Sequence, residues 1–172
     1  RLEQDNKKKM DVGGHHSFGA SLKDYKVWVL ALMYFSEVVG FYGVTFFLPQ
    51  LVKEMGVTSE FKNGLVSAIP WLFAAVAMVW NGQHSDKTME RRWHVAIPAL
   101  IAALGLIITA LAGKQQLVIS MIGLTMTCAG CLCVVSCFWS LPTAFLTGSA
   151  AAGGIALINS FGNLGGYYGP KW

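Results

Sequence analysis

Apolar and polar residues follow one another in long blocks along this chain. Val27 to Leu48, Gly64 to Trp80, Val95 to Ala112 and Leu117 to Phe138 are nearly unbroken apolar runs, and a fifth continues to about Pro170. A helix rises 1.5 Å per residue, so roughly 20 apolar residues cross a hydrocarbon core of about 30 Å. The pattern therefore predicts an all-α membrane protein with five transmembrane helices, at about 27–48, 64–82, 95–112, 117–140 and 144–169. Polar stretches separate them, at 1–26, 51–63, 81–94 and 113–116. The last is so short that the helices on either side of it are expected to be antiparallel neighbours.

The fifth run differs in kind from the others. From Phe138 to Pro170 it is crowded with glycine and alanine and carries Asn159, Ser160 and Asn163. Hydrocarbon gives helices little hydrophobic reason to associate, so close packing relies on small residues. Gly162-x-x-x-Gly166 and Gly165-x-x-x-Gly169 supply such faces. An asparagine amide in hydrocarbon is costly unless it meets a partner, so Asn159 and Asn163, four residues apart on one helix face, are expected to face a bundle interior or cavity.

Composition agrees with a membrane setting. Hydrophobic residues make up 54% of the chain and charged residues only 13%, against about 25% charged in soluble domains. The net charge of +4 does not indicate a nucleic-acid partner, because all 13 Lys and Arg lie in the connections or at the ends of apolar runs. Their distribution sets orientation instead. The stretches 1–26 and 84–94 carry Arg1, Lys7, Lys8, Lys9, Lys23, Lys26, Lys87, Arg91 and Arg92, against Lys53, Lys62, Lys114 and Lys171 on the other side. The first group is expected in the cytoplasm. Residues 1–26 then form a cytoplasmic loop. Its adjacent His15 and His16 lack a third ligand nearby, so no metal site is expected there. The chain reads as a piece of a longer protein.

Candidate chemistry inside the membrane is sparse. Glu37 is the one acidic residue within an apolar run. A low dielectric favours the protonated form of a carboxyl, the property a proton carrier needs, while the alternative is a neutral carboxyl that ties helices together. Cys128, Cys131, Cys133 and Cys137 point in several directions on one helix and are read as small buried residues, not as a metal cluster. Trp139 suits either an interfacial anchor or the wall of a binding site. The charged stretch from Asn81 to His94 is expected as a loop whose charges pair with helix ends and act as a latch, or serve only as a topology signal. No Ser-His-Asp set, phosphate-binding glycine loop or metal cluster points to an enzyme, and no cofactor is implied.

Three pieces of the chain carry a family resemblance. Gly82-Gln83-His84-Ser85-Asp86-Lys87-Thr88-Met89-Glu90-Arg91-Arg92 is similar to the G-x-x-x-D-[RK]-x-x-x-[RK]-[RK] motif of the major facilitator superfamily, with Met89 and Glu90 where that motif often has a glycine. Phe41-Tyr42-Gly43-Val44 with Phe47-Leu48-Pro49-Gln50 resembles its seventh helix. Trp139-Ser140-x-Pro142, followed by Ala151 to Ser160 and Gly162 to Gly166, resembles helices ten and eleven of its anion:cation, or metabolite:proton, symporters. The resemblance implies helices seven to eleven of a twelve-helix fold, with 27–172 the incomplete C-terminal membrane half and 1–26 the central cytoplasmic loop.

It also implies proton-coupled uptake of a small organic anion by alternating access, across a bacterial inner membrane and together with the missing N-terminal half. A sugar acid, a dicarboxylate or an aromatic acid would suit. Trp139, Ser136, Asn159, Asn163 and Tyr42 then resemble substrate-binding positions, and Gly82, Asp86, Lys87, Arg91 and Arg92 a conformational latch. Glu37 rests on the residue reading alone as the proton-coupling candidate. A transport-inactive membrane sensor or helper of the same fold is the alternative.

Overall fold

A computed structural model describes residues 23–113 and 116–171. The expected cytoplasmic loop up to Ser21 and Leu22, with Lys7–Lys9, His15 and His16, lies outside the described residues. Six helices follow in order: α1 (Tyr25–Glu54), α2 (Glu60–Thr88), α3 (Trp93–Ala112), α4 (Leu117–Phe138), the short α5 (Ser140–Phe145) and α6 (Gly148–Tyr168), closed by a 3-10 turn at Gly169–Lys171. Among the described residues four stretches are long and apolar enough to cross a membrane: α1, α2, α3, and α4 with α5. α6 has the length, at 21 residues, but its glycines and amides dilute its hydropathy.

Two helices outrun their apolar cores. α1 has 30 residues and α2 has 29, about 45 Å each at 1.5 Å per residue. The polar stretch 51–63 therefore shrinks to a short turn, closed by the Lys53–Glu60 ion pair at 2.9 Å and by Asn63 Nδ2 donating to the Pro49 carbonyl at 2.8 Å. The charged stretch 81–94 is likewise mostly helical, which corrects its expected assignment as a loop. Side-chain polarity marks where the chain leaves hydrocarbon, whereas backbone hydrogen bonds carry the helix on to Thr88. Buried Asn81 anchors this extension by donating to the His94 carbonyl of α3 at 3.1 Å and the Cys133 carbonyl of α4 at 3.3 Å.

Small residues set the helix pairings. α3 and α4 are antiparallel and approach through Gly105, Gly123 and Gly130; a Cβ on Gly105 would stand 2.5 Å from the Gly123 carbonyl oxygen, and one on Gly130 would stand 2.5 Å from that of Pro98. Thr127, fully buried, donates within its own helix to Gly123 and lies 3.3 Å from the Ala102 carbonyl across the seam. α6 lies on α1 through its glycine faces, with a Cβ on Gly165 meeting the Phe35 carbonyl oxygen at 2.6 Å and one on Gly169 meeting that of Val39 at 2.8 Å. α2 closes on α1 and α4 through Val44, Leu48, Val52, Ala74, Leu124 and Cys128. A second core, of Val27, Leu30, Phe138, Leu146 and Ile158, joins α1, α4 and α6.

Candidate functional site

Asn159, Asn163 and Gly166 occupy positions i, i+4 and i+7 of α6 and so share one stripe. At one end of the stripe Gly166 rests on the Tyr42 ring, where a Cβ would stand 3.3 Å from Cε2. Nearer the other end, Gly162 lies flat against the ring of Tyr34 in α1. The Tyr34 ring stacks on Phe138 at 5.2 Å and meets Trp139 edge-on at 5.0 Å. The two amides, Tyr42 and Trp139 are thus gathered along one side of the α1–α6 seam, with Tyr34 as the link between them.

Ser136 precedes Trp139 by three residues and shares its face of α4. Its hydroxyl donates to the Cys133 carbonyl at 2.8 Å. Such a back-bonded hydroxyl keeps its lone pairs toward the outside of the helix.

The amides are oriented by each other. Asn163 Nδ2 donates to the Asn159 carbonyl at 2.8 Å and to Asn159 Oδ1 at 3.0 Å. With the side chains assigned from that network, Asn159 Nδ2 is left without a partner among the described residues. Both side chains are exposed, so of the two expected settings, a bundle interior or a cavity, they do not take the interior of this bundle. The inward positions of α6 are held by Ile158, Gly162 and Gly165, which lie against α1, and that phase turns the amides to the outer face.

Two aromatic residues, Tyr34 and Trp71, were not singled out from sequence. Phe41, named there only within a motif, extends the same surface, 5.9 Å from the Tyr42 ring and 5.6 Å from that of Trp71 in α2. A signal was present in the spacing, since Tyr34, Phe41 and Tyr42 recur within two turns of Glu37, but aromatics in an apolar run are also ordinary lipid-facing residues.

Glu37 stands apart from this cluster. It borders a groove of about 540 Å³ between α1, α3 and α4, together with Met33, Ala99, Thr127, Cys131 and Phe138. Its Oε1 is buried without a hydrogen-bond partner among the described residues. Phe138 borders both the groove and the Tyr34 ring, on which it stacks. All four cysteines are reduced and buried.

The residues expected as a latch form a compact turn. Asp86 pairs with Arg91 at 2.6 Å, and Arg91 also donates to Ser85 Oγ at 3.0 Å, while Ser85 donates to the Glu90 carbonyl at 2.8 Å. Met89 ends α2 at φ 54°, the left-handed conformation that the glycine often found in the motif adopts easily. The Glu90 carboxylate then accepts the Arg92 and Trp93 amides at 3.0 and 2.9 Å, capping the start of α3. Gly82 is half-buried one turn before Asp86, and Lys87 and Arg92 are exposed on the same turn.

Comparison with known proteins follows the same lines. The model of the Major Facilitator Superfamily matches residues 3–170. A provisionally named tartrate transporter of Agrobacterium vitis is 46% identical over 156 residues, 91% of this chain and 34% of that protein. A quinolone resistance transporter of Acinetobacter baumannii is 37% identical over 151 residues, 87% of the chain and 34% of its own length. The inner membrane transport protein RhmT of Escherichia coli K12 is 36% identical over 151 residues, with the same coverage of each chain. The chain thus spans about a third of the length of these relatives. No solved structure matches it.

Proposed function

Because the chain belongs to the major facilitator superfamily, we propose that it is the C-terminal membrane half of a bacterial inner-membrane transporter that takes up a small organic anion together with a proton. The single observation that carries the anion reading is the open Asn159 Nδ2 donor beside an aromatic wall, on an outer face of this bundle. An amide donor suits a carboxylate oxygen, and an indole suits a carbon skeleton. The 46% identity to a protein named for tartrate transport supports a compact, hydroxylated or carboxylated substrate.

In this reading the exposed Asn159, Asn163, Tyr42 and Ser136, with the half-buried Trp139, form one wall of the site. The N-terminal half supplies the other wall, with substrate between the two near the midplane. Asn163 holds the Asn159 amide in orientation. Trp139 sits at the break between α4 and α5, where a small change in the angle of that joint moves the indole toward or away from the substrate. Glu37 is the proton-coupling candidate, bordering the groove that Phe138 shares with the Tyr34 cluster. The Asp86–Arg91 turn latches the ends of α2 and α3 and is released once per cycle.

The test is uptake of a labelled panel of tartrate, sugar acids, dicarboxylates and aromatic acids into vesicles carrying the full-length protein, with and without an inward proton gradient. Gradient-driven uptake of one class is expected. Absence of uptake of every anion under both conditions sinks the symport reading and leaves the transport-inactive sensor or helper.

A further inference from the structure

Two histidines meet across the α2–α3 connection, and the transport reading uses neither. His84 Nδ1 and His94 Nε2 are 2.7 Å apart, with ring centroids separated by 5.0 Å. Trp80 stacks on the His84 ring at 5.7 Å and 17°. On its far side His94 places Nδ1 3.4 Å from Glu90 Oε2. Carboxylate, imidazole, imidazole and indole therefore form a row from the connection to the outer face of α2.

A contact between two ring nitrogens requires one to donate and the other to accept. When the pair carries no extra proton, either tautomer assignment satisfies it. With one extra proton the row improves: a charged His94 donates to Glu90 through Nδ1 and to the neutral His84 through Nε2. When both rings are charged, both facing nitrogens are donors and two cations stand at hydrogen-bond distance, so the contact breaks. The charged and titratable groups around the pair fit this sequence of states. Glu90 faces it from the connection, and the Cys133 thiol faces it from α4 across a cavity of about 400 Å³. Asp86 is engaged by Arg91, and Lys87 and Arg92 are exposed at the same end. No other carboxylate among the described residues is placed to absorb the second proton.

The break matters because the pair lies inside the latch. His84 is one residue from Ser85 and two from Asp86, and the His94 carbonyl holds Asn81, so His94 and the Asp86–Arg91 turn are fixed to the same end of α2. We propose that the His84–His94 contact is a pH-sensitive tie between the ends of α2 and α3, retained at neutral pH and released when the compartment on that side acidifies and both rings become charged. Release at that end would couple the tie to the proton that uptake delivers to the receiving side. Only this consequence rests on the transporter reading; the tie itself does not.

The experiment is hydrogen–deuterium exchange on the full-length protein in lipid nanodiscs, following amides 90–97 at pH 7.5 and pH 5.5 after correction for intrinsic exchange. Loss of one interhelical hydrogen bond predicts about a fivefold drop in protection at the lower pH. His84→Gln and His94→Gln keep a polar amide but cannot titrate, and each is expected to show the same protection at both pH values. A melting temperature near that of the unaltered protein at pH 7.5 establishes that the variants are folded; His84→Asn replaces any that is not. Protection that is unchanged in the unaltered protein, or that falls equally in both variants, overturns the tie. Because exchange is read without substrate, this outcome is independent of whether any anion is transported.

Discussion

Gly162 of α6 lies flat against the ring of Tyr34 in α1, leaving no room for a Cβ between them. The contact fixes the height of α6 on α1, and with it the placing of Asn159 relative to Trp139, since Tyr34 touches both Gly162 and the indole.

Gly162→Ala is therefore expected to displace the Tyr34 ring and to destabilise the protein by about 1–3 kcal/mol, the usual range for an overpacked contact. Gly40→Ala is the matched comparison. It lies within α1, but nothing stands within 4 Å of its would-be Cβ, so its effect is expected to be neutral or stabilising, by up to about 1 kcal/mol. Thermal unfolding of both variants in one lipid environment checks this, and equal losses would show that Tyr34 has space to yield.

Met89 offers a test of opposite sign. A non-glycine residue at φ 54° carries about 1 kcal/mol of steric cost, concentrated in branched side chains. Met89→Gly is expected to leave the melting temperature unchanged or raise it. Met89→Val is expected to lower it. If glycine proved as harmful as valine, the exposed methionine side chain would have to make contacts worth more than the strain.

How far the amino-acid order reveals these features depends on their range. Apolar run lengths marked helices long and apolar enough to cross at four of the five expected places among the described residues, because crossing hydrocarbon demands a minimum number of apolar residues whatever the packing. The glycine spacing of the last run announced a close helix contact, and α1 is its partner. Helix ends were less legible. Gly82, Asp86 and Lys87 look like loop residues because they are polar, yet they complete the last turns of α2, held by Asn81 reaching two other helices. The site was half legible. Asn159 and Trp139 stood out as polar or amphipathic groups in an apolar setting. Their link through Tyr34, the outward phase of the amides and the place of Glu37 in the groove that Phe138 borders all depend on how α1 is rotated against α4 and α6. No local pattern encodes that rotation.

Glu90 gives a pH prediction outside the membrane. Desolvation, the largest single influence, pushes its carboxyl up, but the Trp93 and Arg92 amides and the His94 ring together outweigh it and hold the group below its ordinary value of 4.5. A depressed carboxylate stabilises the fold above its ordinary titration range, and the contribution disappears as pH falls through the lowered value. Protection of the first amides of α3 is accordingly expected to be full above the ordinary carboxylate range, to fall as pH drops through it, and to have lost this contribution below the lowered value. In Glu90→Gln this acid step is expected to be absent and protection at neutral pH reduced. Retention of the step in that variant would assign it to another carboxylate, with Asp86 the nearest in the same turn.

The most direct test of the transport account is a comparison of full-length protein and Asn159→Ala in vesicles, measuring labelled organic-anion uptake with and without an inward proton gradient. The account predicts gradient-driven uptake by the unaltered protein and its loss in Asn159→Ala, with the variant still folded and inserted. Gradient-driven uptake of the same anion at an unchanged rate in Asn159→Ala would contradict the placement of the substrate on the amide face of α6.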